Sequence, residues 1–172
     1  RPAELPVWPD PRAVPRRGPT APAPALLGRA SAWQRAHPIE RAEERPPVGD
    51  TLRSFRGVVR HGTAHCLEAA ISAAVILEQH GYPPLVLSFE SIDKLDHVIY
   101  PFVEDGRWGA IARSRDPGLH GRRAVYLTPR SLASSYMDPY VDLTGRVLGY
   151  AVASLTDVGA YDWRFSKRNV WK

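Results

Sequence analysis

Proline is what most constrains this chain. Eleven of its 17 prolines fall in residues 1–50, in runs such as PVWPDPRAVPRRGPTAPAPA (6–25). Proline has a fixed φ and no amide N–H, so such a run sustains neither a helix interior nor a central strand. It favours extended polyproline II and reads as an arm. Trp8, Leu26, Leu27, Trp33 and Ile39 are its few apolar anchors, for the domain or for a protein partner. ALLGRASAWQRA (25–36) can form one short helix before His37-Pro38 stops it. A packed core has to come from residues 51–172.

The chain of 172 residues fits one domain, long enough to bury a core without covalent staples. A single cysteine excludes an internal disulfide framework and any Cys-rich zinc site. There is neither a carboxylate-rich loop nor a His-x-x-x-His pair, so no metal or cofactor is expected. No apolar run approaches the ~20 residues of a membrane span, and no signal-peptide core stands at the start. A cytoplasmic location is the expectation, subject to whatever preceded Arg1. The formal charge is +5 and the pI about 9.7, yet Arg16-Arg17, Arg122-Arg123 and Lys167-Arg168 are isolated pairs. Scattered cations speak to solubility rather than to a specific nucleic-acid partner.

From residue 51 the pattern turns globular. TLRSFRGVVRHG (51–62) reads as a short helix or turn ending at Gly62. In CLEAAISAAVILEQHG (66–81), Leu67, Ala70, Ile71, Ala74, Val75 and Leu77 or Glu78 recur at helical spacing. Gly81 and Tyr82-Pro83-Pro84 stop that helix. PLVLSFE (84–90) is a β-rich run. DHVIYPFV (96–103) and RWGAIARS (107–114) are two more strands, joined through Asp105-Gly106, a strong hairpin signal. LTPRSLASSYMDPYVD (127–142) reads as a helix with Thr128 as N-cap and Pro129 at the first helical position. The tail YDWRFSKRNVW (161–171) is expected to close the sheet with Trp163, Phe165 and Trp171 inward. The order indicates an α+β fold with a small antiparallel sheet.

The one thiol stands at the threshold of the long helix. A sulfur at a helix N-terminus meets free backbone N–H groups and the positive end of the macrodipole, which lowers a thiol pKa and favours the thiolate. Gly62, Thr63 and Ala64 leave room for a substrate before the helix, and the Cys66 amide can serve an oxyanion. The plainer alternative is a small hydrophobe in helix packing. A nucleophile needs a base, and His97 opens the second strand. His65 adjoins the thiol but faces elsewhere, His61 lies before the helix, and His80 is about 20 Å away at its far end. His37 and His120 are expected to be exposed.

A catalytic histidine also needs an orienting group. With a two-residue turn, Glu104 pairs with Arg107 and Val103 with Trp108, so His97 comes opposite Ser114, with Asp116 diagonal to it. A three-residue loop puts Arg113 there instead. Asp96 adjoins His97 but faces the other way. Tyr136 and Tyr140, four apart on the later helix, are either a substrate wall or core.

Residues 60–140 resemble the transglutaminase-like, papain-related cysteine protease superfamily. The resemblance lies in Gly-x-x-x-Cys at a helix start, in AAISAAVILEQHGYPPLVL as helix then strand, and in DHVIYPFVEDGRWGAIARS as His-strand, Gly-Trp turn and following strand. WGAIARS and LASSYMDPY are similar to segments of a bacterial branch. The resemblance implies a papain/transglutaminase-like core whose Cys helix packs on the sheet, and a triad acting on acyl groups. Cys66 is then the nucleophile, His97 the base, and Ser114 or Asp116 the third member. Asp116-Pro117 comes several residues later than the superfamily's Asp, and Ser114 orients an imidazole without supplying charge. The implied substrate is a peptide or protein amide. Water as acceptor gives a peptidase or amidase, and an amine gives a transamidase. The alternatives are a weak or inactive domain that binds a protein, and a leader peptidase that matures a small peptide.

Overall fold

The computed structural model of the chain describes residues 52–92, 97–114, 117–137, 147–158, 162–168 and 170. The proline-rich arm with its anchors, Asp96, Asp116, Tyr140 and Trp171 lie outside the described residues.

Helix α1 (Phe55–His61) starts where the Ser54 hydroxyl accepts from the Gly57 amide at 3.3 Å, and stops at Gly62, whose φ of 73° is left-handed. Helix α2 (Cys66–Glu78) follows. Its apolar positions were expected as a stripe, but residues 68–75 and Leu77 are all buried. The cause is in the composition. Ala69, Ala70, Ala73 and Ala74 carry almost no side chain, so neighbours can approach from two sides. The sheet supplies Val86, Val98, Tyr100 and Phe102, while Phe55 of α1 and Trp163 and Val170 of the C-terminal segment belong to the same cluster.

Strands β1 (Leu85–Ser91), β2 (Val98–Glu104), β3 (Arg107–Ile111), β4 (Arg122–Tyr126) and β5 (Val147–Ser154) form one antiparallel sheet in the order β4-β3-β2-β1-β5. The β2–β3 turn has φ of 48° at Asp105 and 73° at Gly106, the two left-handed residues of a primed two-residue turn. The register accordingly runs Glu104↔Arg107, Val103↔Trp108 and on to Tyr100↔Ile111. Alternation divides β1 and β2 between two cores. Leu85, Leu87, Phe89 and Ile99 turn away from α2 and pack with Leu119, Leu132, Ala133 and Tyr136. Leu132 and Ala133 sit on α3 (Pro129–Ser134), which Thr128 caps by accepting from the Ser131 amide at 3.0 Å. The chain is thus an α+β fold with a central sheet covered on both faces.

Three features differ from the sequence reading. Strands β4 and β5 are the two edges and had not been recognised as strands. Helix α3 is one short piece followed by turns at Ser135–Met137 rather than a helix through residue 142. Among the described residues the C-terminal segment adds no strand. It lies along α1, with Phe55 N donating to Trp163 O at 2.9 Å and Ser54 Oγ to Ser166 O at 2.7 Å. Trp163 is buried as expected, but Phe165 points outward, 61% exposed. No helix among the described residues is long and apolar enough to cross a membrane. A final four-residue helix, α4 (Leu155–Val158), leaves β5.

Candidate active site

The N-terminus of α2 is held from below by a buried carboxylate. Glu68, fully buried, accepts from the His65 amide at 3.1 Å and from the Arg53 amide at 2.7 Å. His65 is the N-cap, and its Nε2 lies 3.5 Å from Glu68 Oε1. Arg53 also reaches Thr63 Oγ1 at 3.2 Å. These contacts fix the loop 62–65 and with it the first turn of the helix. A Cβ added at Gly62 would meet nothing within 4 Å, so this loop is open on that side.

Cys66 begins the helix, and the backbone N–H groups of Val98, Leu67 and Cys66 itself act on its sulfur to lower the pKa. Val98 follows His97 directly. The thiol thus meets the backbone at the N-terminal end of β2, one residue from His97, whose ring packs with Phe89 and Tyr136 of the second core. The thiol is not ionised by its surroundings, contrary to the expectation from the helix terminus. Burial raises its pKa, and the Glu68 carboxylate adds to the rise. The three N–H groups pull downward without prevailing. The residue as a whole is half-buried, but the sulfur itself is packed in protein, and it is the sulfur that carries the charge. Helix position gives the sign of a dipole, whereas desolvation depends on what packs over the site.

His97 is 4% exposed. Its ring lies parallel to Phe89 at 6.3 Å and tilted against Tyr136 at 6.2 Å. Its Nε2 is 2.9 Å from the carbonyl oxygen of Leu119. A carbonyl only accepts, so Nε2 carries the proton and, in the neutral ring, Nδ1 carries the lone pair. The acceptor is a main-chain atom in a one-turn 3-10 helix (Pro117–Leu119), and no reading of side chains could have named it.

The β2–β3 ladder ends at Tyr100↔Ile111, three residues before Ser114. The Ser114 carbonyl accepts from His120 Nε2 at 2.9 Å. Asp116 lies outside the described residues, one residue before that 3-10 turn. His120 is half-buried, not exposed as expected, because this bond and its place in the turn hold it inward. His61 is exposed and His80 sits beyond the far end of α2. Tyr136 is core, fully buried, and its hydroxyl donates to His120 O at 3.0 Å. Among the described residues no three His, Cys, Asp or Glu side chains gather closely enough to hold a metal ion.

A scan against protein-family models finds no match. A search of curated proteins finds none either. Among solved structures the chain is similar to Legionella pneumophila LapG, at 15% identity and a TM-score of 0.43, over 60% of this chain and 65% of that one. The calcium-bound form of LapG gives 14% identity and 0.44, over 68% and 80%. The EGTA-treated form gives 15% and 0.44, over 66% and 71%. The chain thus spans just under two-thirds of the first of these structures.

Proposed function

We propose that this chain is a thiol-dependent acyl-transfer enzyme acting on a peptide or protein amide. The observation that carries the reading is the convergence at the start of β2. There the only cysteine of the sequence lies against the backbone of Val98, the residue after His97, a buried imidazole whose Nε2–H is already engaged. In this reading Cys66 Sγ attacks the amide carbonyl while His97 Nδ1 takes the thiol proton, then returns it to the leaving amine. The Cys66 amide is one donor for the oxyanion. The Leu119 carbonyl holds the ring in the required tautomer, a part to which Ser114 or Asp116 can add. Water as acceptor completes a peptidase or amidase cycle, and an amine completes a transamidation.

Acylation by p-nitrophenyl acetate tests the reading without knowledge of the natural substrate. The expected result is a burst of nitrophenolate with an acetyl group on Cys66, lost in Cys66→Ala and strongly slowed in His97→Ala. Equal, slow acylation of wild type and His97→Ala would leave Cys66 as a packing residue. The raised thiol pKa is the observation that favours the second reading, a catalytically weak domain that binds a protein partner.

A further inference from the structure

We propose that Arg122 is the positioning residue of His97, acting through the turn 118–120, with Tyr136 as its support. This rests on the acyl-transfer reading above, because only there does the orientation of His97 have a chemical consequence. Three successive carbonyls of the turn are shared among the side chains of Arg122, His97 and Tyr136. Arg122 donates through Nη2 to Gly118 O at 2.6 Å and through Nη1 to His120 O at 2.8 Å. The oxygen between them, on Leu119, takes the His97 proton. The outer two carbonyls are tied down so that the middle one keeps its aim.

The same guanidinium reaches across to α3. Its Nη2 also approaches Ser135 O at 3.2 Å, and Nε approaches Ser135 Oγ at 3.3 Å. Its carbon sits 4.0 Å from the centre of the Tyr136 ring. Tyr136 in turn donates to His120 O and packs its ring against His97. Burial keeps this phenol protonated, with the Arg122 cation opposing, so its hydroxyl remains a donor. Arg122 therefore joins the turn, α3 and the ring beside His97 in one connected piece. Among the described residues no carboxylate forms an ion pair with it; its planar fork is matched to main-chain oxygens instead. Lysine has the charge but not the fork.

The experiment uses the full-length chain with nitrogen-15 histidine, observed by NMR, and iodoacetamide labelling of Cys66. In wild type the His97 ring is expected in one tautomer, with a slowly exchanging Nε2 proton. In Arg122→Gln that proton signal is lost and both tautomers are populated, while Cys66 labelling falls about tenfold to a hundredfold, as misplacement of a reacting group allows. Arg122→Lys restores neither fully. Arg123→Gln, an exposed neighbour on the same strand, changes nothing. A folded Arg122→Gln that keeps the single tautomer overturns the proposal. If that variant does not fold, Tyr136→Phe removes only the hydroxyl bond to His120 O, and an unmoved Nε2 proton there overturns it equally. If the tautomer responds but labelling is unchanged in His97→Ala, the acyl-transfer reading fails while the coupling of Arg122 to His97 through the turn stands.

Discussion

Replacing Gly121 by alanine tests whether the corner around His97 is rigid. Gly121 is needed for close approach, not for an unusual φ. An added Cβ would lie 2.6 Å from the carbonyl oxygen of Ala110 and 3.4 Å from the Ala112 amide nitrogen. Ordinary van der Waals contact begins near 3.4 Å, so the two backbones must separate by about 0.8 Å. Ala110 belongs to β3, which has a hydrogen-bonded neighbour on each side, so the turn before Gly121 is what yields. If Leu119 O, two residues away, takes up that whole shift, it moves from 2.9 Å to about 3.7 Å, where a bond to His97 no longer counts. Overpacking of this kind costs about 1–3 kcal/mol, and the lost hydrogen bond about 1 kcal/mol more. Urea unfolding followed by circular dichroism reads the first effect, and iodoacetamide labelling of Cys66 reads the second. A Gly121→Ala variant with wild-type stability and labelling would refute the claim that this turn is fixed.

Two further outcomes follow from the same contacts. Because burial raises the Cys66 pKa, the thiolate fraction at pH 7 is smaller than for a free thiol, so alkylation is slower there than for glutathione. Its rate keeps climbing with pH beyond the ordinary thiol range, and fast labelling at pH 6–7 with a plateau would show a preformed thiolate instead. At the other end of α2, Arg164 grips Glu78 through Nε at 2.5 Å and Nη2 at 2.6 Å and lies 4.0 Å from the centre of the Trp163 ring. Arg164→Ala should cost about 1 kcal/mol after solvent screening of a partly exposed pair, with the C-terminal segment becoming the first site of limited trypsinolysis; unchanged stability and cleavage pattern would count against that clamp.

Elements set by neighbouring residues were readable, whereas those set by distant ones were not. Asp105-Gly106 announced its own turn, and that turn alone fixed the β2–β3 register. Thr128-Pro129 likewise announced the start of α3. Strand β4 reads RRAVY, short and half polar, because it is an edge with one partner. Strand β5 pairs with β1 across about sixty residues, and Gly149 and Ser154 dilute its apolar run. Phe165 points outward because its segment follows α1 through backbone bonds, not by burying every aromatic. At the candidate site, Cys66 and His97 were legible as side chains at element starts. The Leu119 oxygen was not, since every residue carries the same carbonyl and only the path of the chain selects one.

The direction of the thiol shift gives that carbonyl its importance. A thiolate formed in advance by a helix terminus stays reactive even when its imidazole drifts, because the proton has already left. A buried thiol that remains protonated needs its base in line at the moment of attack. Under the proposed acyl-transfer reading, the main-chain oxygen of Leu119, in the turn that Arg122 and Gly121 flank, contributes to that alignment. Both therefore affect the chemistry more than their distance from the sulfur suggests. The same substitutions in a site with a preformed thiolate would alter stability and leave the labelling rate nearly unchanged.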